Sequence, residues 1–171
     1  MNSRTRRVAL SGLLVAIMLI LGFVESRLPI ASFLKVSIPG IKLGLSNSVL
    51  VFALYALGIP NAFLLMLLKV VLSGLLFGGV SAMLYAFAGG LVSLIVMSVL
   101  RKIKGVHVVV ASMAGGAAHN AGQVALAMCI METDALLYYM AVLMAIGLAS
   151  GALTGICASR VMKSLEKNHL V

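Results

Sequence analysis

Six apolar stretches, separated by one longer loop at 25–41 and otherwise by tight breaks, restrict the fold of this chain more than any other feature of its sequence. They cover approximately residues 7–24, 42–58, 60–77, 80–100, 107–131 and 135–158. Each is about 17–25 residues long, enough for an α-helix to cross a hydrocarbon core about 30 Å thick. The rest of the composition leaves no room for a water-facing surface. Of 171 residues, 63% are hydrophobic and 10% are charged, where a soluble domain keeps about 25% charged. The sequence therefore predicts an all-α integral membrane protein, a single transmembrane domain over residues 1–171 made of a six-helix bundle. The second and third stretches are short and hold polar residues; were both to fail as spans, four would remain and the orientation would be unchanged.

The first stretch follows Arg4, Arg6 and Arg7, which would also suit the start of a cleaved signal peptide. Its apolar run is longer than such a segment needs and ends in Phe23-Val24-Glu25 with no small-residue cleavage site, so a retained helix is expected. With six spans, Arg4, Arg6, Arg7, Arg101, Lys102, Lys104, Arg160, Lys163 and Lys167 fall on one side. Only Arg27, Lys35 and Lys42 fall on the other, with Glu25, Glu132 and Asp134. Cations gather in cytoplasmic loops, so both termini are expected in the cytoplasm, in a multi-pass protein of the plasma membrane. The same rule accounts for the net charge of +9 without nucleic acid; no basic patch is interleaved with stacking aromatics. Cys129 and Cys157 lie inside apolar runs and are expected as small core residues, in neither a disulfide nor a metal site. His107, His119 and His169 are too scattered to hold a metal.

Polar groups at membrane depth are costly and by default face the bundle interior or a wet cavity. Here they are few. Asn47 stands in the outer third of the second stretch, and Lys69 near the middle of the third, with Ser73 one turn outward. Tyr85 is in the outer part of the fourth, and His119, Asn120 and Gln123 form the AHNAGQ segment of the fifth. His119 and Gln123 are four residues apart and share a helix face, and Gly115, Gly116 and Gly122 leave space beside them. Lys69 is the strongest single candidate, because a cation at mid-span needs a partner and no Asp or Glu falls within a helix core. Together these residues predict a polar cavity open to the outside; the plain alternative is a set of interhelical hydrogen bonds. The segment SIPGIKLGLSN, residues 37–47, then reads as a lid over that cavity. Pro39-Gly40 turns the chain into the second helix, Lys35 and Lys42 flank the mouth, and glycines allow close backbone approach.

Small residues recur every four positions: Gly147, Gly151 and Gly155; Ala114, Ala118 and Gly122; Gly74 and Gly78; Gly12 and Ala16. Such rows let helices pack closely in lipid. Packing within the chain is the general reading, and the row on the first helix is the best candidate for an interface with another membrane subunit.

The basic N-terminus, the Gly12/Ala16 row, the outer loop and IPGIKLGLSN at the start of the second helix together resemble a known group. The chain is similar to the substrate-binding membrane subunits (S components) of energy-coupling-factor transporters. It resembles more closely the small proteins called Gx transporters or heptaprenyl diphosphate synthase component I. The resemblance covers nearly the whole chain. It implies a six-helix subunit that captures a vitamin-like or anionic small molecule from outside and works with a transmembrane coupling subunit and two ATPase subunits. Gly12 and Ala16 then stand where that family packs small residues against the coupling subunit. Lys69, Asn47, His119, Gln123, Asn120, Tyr85, Lys42 and Lys35 are the expected substrate-binding set, and no cofactor is expected.

The chain has no GxxxxGK[ST] phosphate loop, so energy must come from partners or a gradient. A prenyl synthase would need clustered aspartates to hold a diphosphate through magnesium. Asp134 is the one aspartate in the sequence, so no enzymatic activity of its own is expected. A non-catalytic accessory role beside a separate polyprenyl synthase is the alternative function. A stand-alone channel is disfavoured, since no internal duplication is visible.

Overall fold

In a computed structural model, the structure describes residues 3–27 and 45–167. These form six α-helices: α1 (Ser3–Arg27), α2 (Leu45–Leu57), α3 (Ile59–Ser73), α4 (Gly79–Lys102), α5 (Val108–Met131) and α6 (Leu137–Lys167). A π-helical turn, Gly74–Gly78, continues α3. Among the described residues, three helical segments are long and apolar enough to cross a membrane: Ile59–Leu76, Gly79–Lys102 and Leu137–Lys167. Val8–Val24 and Ser46–Leu57 are shorter apolar helices, and α5, which carries His119, Asn120 and Gln123, is not among the candidates. The helices follow the six apolar stretches, with α6 running nine residues past the expected end at 158, and the described residues between helices are short connections at 58, 103–107 and 132–136.

Short, sharp connections force neighbouring helices to run antiparallel. Gly58 alone separates α2 from α3, with φ 87°, a left-handed conformation that glycine adopts without penalty. Pro60 follows in the first turn, where its missing N–H leaves no hydrogen bond unmade. Gly79, with φ 74°, reverses the chain between the π turn and α4. The imidazole of His107 caps α5: its Nδ1 accepts the Val109 N–H at 3.3 Å.

Two modes of packing build the bundle. Around α1, α2 and α3 the core is made of large side chains, with Met18, Val51, Leu54, Leu65 and Met66 almost wholly buried. Between α4, α5 and α6 the backbones themselves approach. Gly147, Gly151 and Gly155 of α6 lie against Gly116, Ser112 and Val109 of α5; one series ascends as the other descends, as in an antiparallel pair. A Cβ on Gly147 would stand 2.5 Å from the Gly116 carbonyl oxygen, and one on Gly155 would stand 2.8 Å from Val109 Cα. The row on α6 therefore packs within the chain. Gly122 of α5 does the same against α4, where a Cβ would meet the Ala88 oxygen at 3.0 Å. Contacts run α2–α3–α4–α5–α6 and return from α6 to α2, closing a ring, with α1 against α2 and α3.

Outside, large apolar side chains such as Val8, Leu75, Val80 and Tyr138 are exposed, as a bilayer permits and water does not. Cys129 and Cys157 belong to this outer surface and are free thiols. This corrects their expected place in the core: their helices turn those positions away from the ring, and the interior is occupied by Gly122, Val124, Gly155 and Ala158 instead.

Candidate functional site

The ring encloses a cavity of about 600 Å³, lined from all six helices. Its wall includes the end of α1 (Gly22, Phe23, Arg27), the start of α2 (Ser46, Asn47), the end of α3 and its π turn (Lys69, Ser73, Gly74, Leu76), and the first half of α4 (Ala82, Ala86). These termini share one end of an antiparallel bundle. The opposite end carries Arg101 and Lys102 at the end of α4, with Arg160, Lys163 and Lys167 at the end of α6. The cavity is thus at the end remote from these cations.

Lys69 and Asn47 meet there. The Lys69 ammonium donates to Asn47 Oδ1 at 2.7 Å, joining α3 to α2 inside the cavity wall. A charge-assisted bond of this kind partly offsets the desolvation of a mid-helix cation. His119, Asn120 and Gln123 also line the cavity, from α5. Glycines place them. A Cβ on Gly89 would lie 2.7 Å from the His119 carbonyl oxygen and 2.8 Å from Gln123 Cγ, so α4 must be bare there for α5 to come so close. Asn120 is turned partly toward structure: its Nδ2 donates to the Leu143 carbonyl at 2.6 Å and ties α5 to α6. Gly116, one turn before Asn120, reaches the cavity as well.

The structure therefore brings Lys69, Asn47, His119, Asn120 and Gln123 around one space. Tyr85 is half-buried on α4 and is not among the lining residues. The face of α4 that lines the cavity carries Ala82, Ala86 and Gly90, four residues apart, and Tyr85 sits about 100° around the helix from Ala86. Lys35 and Lys42 lie outside the described residues, as does the 28–44 stretch that holds most of SIPGIKLGLSN. Gly12 and Ala16 are on the exposed face of α1, and a Cβ on Gly12 would touch nothing within 4 Å.

The contribution of α1 was not anticipated from sequence. Met18, Leu19, Gly22, Phe23 and Arg27 all line the cavity, and the Arg27 guanidinium lies 5.1 Å from the centre of the Phe23 ring. A signal was present: Leu19, Phe23 and Arg27 recur every four residues and so share one helix face. Arg27, counted as a loop cation, is the last residue of α1. Ser46 and Ser150 were also missed, small hydroxyls with no distinguishing pattern around them.

A family model described as heptaprenyl diphosphate synthase component I matches residues 14–161. No curated protein and no solved structure matches the chain.

Proposed function

The chain belongs to the heptaprenyl diphosphate synthase component I family, and from the cavity we propose that it is a non-catalytic solute-binding membrane subunit. Six helices cross the plasma membrane with both termini in the cytoplasm. The cavity opens outward, and a small solute enters to meet Lys69, Asn47, His119 and Gln123. Inward release follows when the bundle reorients against a transmembrane coupling subunit served by two ATPases, in the manner of an energy-coupling-factor S component.

The observation that carries this reading is the cavity itself: about 600 Å³, within the range of about 300–1,000 Å³ common for small-molecule sites, with a cation and amide groups converging on it. Ser112 and Thr154, paired at 3.0 Å, do not reach the cavity, whereas Lys69, Asn47, His119, Asn120 and Gln123 all line it, even where, as with Lys69 and Asn47, they also bond across an interface. The family description favours a second reading, a membrane accessory to a separate polyprenyl diphosphate synthase.

Native mass spectrometry of the protein gently extracted from its own membrane separates the two. A co-purified small molecule, or a coupling subunit with ATPases, supports solute capture. A soluble aspartate-rich synthase without a metabolite supports the accessory role. Lys69→Ala should then abolish retention of any metabolite found without unfolding the bundle; undiminished retention would remove Lys69 from the site.

A further inference from the structure

Two neighbouring helices give the cavity walls of opposite character. From α5 come His119, Asn120 and Gln123, and Lys69 with Asn47 adds to that polar side from α3 and α2. In contrast, α4 contributes only Ala82, Ala86 and Gly90, a smooth apolar strip without a polar atom in its side chains, and α1 adds Met18, Leu19 and Phe23 beside Arg27.

Size adds a second constraint. At about 30 Å³ per molecule, 600 Å³ holds about twenty waters. An ion as small as phosphate at Lys69 would leave most of that space filled with water lying against apolar wall, without the gain that covering such surface brings. A molecule with an apolar body would displace that water. The cation at the mouth also has its own apolar companion, since Arg27 stacks on Phe23.

Building on the reading of this cavity as a solute site, we propose that its ligand is amphipathic: an oxyanion or similar hydrogen-bonding head at Lys69 and the α5 amides, joined to a compact apolar body against Phe23 of α1 and the Ala82/Ala86 strip of α4. The polar wall provides capture. The apolar wall provides selection, by rejecting ions and sugars of similar charge that cannot dry it. Phe23 and Ala82 are then specificity-determining residues. Ala82 is exposed to the cavity mouth, so enlarging it narrows the site without disturbing the buried core.

The test is equilibrium dialysis of the protein in nanodiscs against two probes, 1-naphthyl phosphate and inorganic phosphate, with empty nanodiscs correcting for partition into lipid. The wild type should hold 1-naphthyl phosphate at least tenfold more tightly than phosphate. Phe23→Ala and Ala82→Leu should each narrow that ratio severalfold, with far-UV circular dichroism confirming an intact bundle, and Lys69→Met should weaken both probes. Equal binding of the two probes, lost in Lys69→Met, would leave the solute site standing and overturn the apolar-body inference. A naphthyl preference that survives both wall variants would overturn that inference too. Binding of neither probe, or binding insensitive to Lys69→Met, would overturn the solute-site reading and this inference with it.

Discussion

Replacing Gly147 by alanine tests the backbone contact that holds α5 to α6. The new methyl would stand 2.5 Å from the Gly116 carbonyl oxygen, 2.7 Å from its carbon and 2.9 Å from the Ala117 nitrogen. All three are backbone atoms, so no rotamer change relieves the clash, and the helices must part by up to about 0.9 Å to reach ordinary contact. A gap of about 0.5–1 Å forfeits a quarter to a half of each dispersion contact it opens. It also strains the Asn120 to Leu143 hydrogen bond one turn away, now 2.6 Å. Overpacking of this kind costs about 1–3 kcal/mol. Against it stands the intrinsic preference of a helix for alanine over glycine, about 0.5–1 kcal/mol.

Gly12→Ala isolates that second term, because a Cβ there meets nothing. The expected result is that Gly147→Ala is less stable than Gly12→Ala by about 1–3 kcal/mol, while Gly12→Ala equals or slightly exceeds the wild type. The measurement is reversible unfolding in mixed micelles followed by far-UV circular dichroism, a suitable signal for a chain without tryptophan. Should the two variants agree within a few tenths of a kcal/mol, the backbones of α5 and α6 are not in contact and the packing argument fails.

Three further outcomes follow from the same geometry. Ser112→Ala removes the Ser112–Thr154 hydrogen bond at 3.0 Å, yet Thr154 keeps the Gly151 carbonyl at 3.1 Å, so the loss in the same unfolding assay should be only about 0.6 kcal/mol. A loss several times larger would mean that Ser112 supports the interface in another way. Arg101 donates to the Leu54 carbonyl at 2.5 Å and lies over the Tyr55 ring. Arg101→Ala should therefore speed hydrogen exchange in the last turn of α2 and destabilise by up to about 1 kcal/mol, a modest figure because the guanidinium is exposed; unchanged exchange there would refute the cap. In a cysteine-free background, Thr133→Cys should react with an impermeant maleimide on intact cells and Lys104→Cys only after permeabilisation. The reverse pattern would invert the proposed orientation.

The helices were legible because each apolar run and each break speaks locally. Gly58-Ile59-Pro60 marks a helix end and a helix start, and the structure places its sharpest reversal there. The AHNAGQ segment was legible for the same reason, since three polar residues in an apolar run must go inward or be paired. Less could be read about partners. Nothing local says that Lys69 bonds Asn47, 22 residues earlier, or that Asn120 reaches across to a carbonyl of α6 while His119 beside it faces the cavity. Cys129 and Cys157 were misplaced because small size suits either a core or a lipid-facing surface.

By itself, then, the sequence determined the helical class, the boundaries of its elements to within about four residues except at the end of α6, which runs nine residues past 158, and the short set of polar groups from which a site had to be made. Hydropathy and turn chemistry act over one or two helical turns, and those properties need no more than that. Tertiary structure decided which small-residue rows face inward: the α6 row meets the backbone of α5, while Gly12 and Ala16 of α1 face outward. It also decided that Phe23 and Arg27 join Lys69 around one cavity. Both depend on how each helix is rotated about its axis, and in an apolar solvent, where nearly every face is hydrophobic, periodicity carries little information about that rotation. Close approach of bare backbone sets it instead, and this becomes visible only once the helices are packed together.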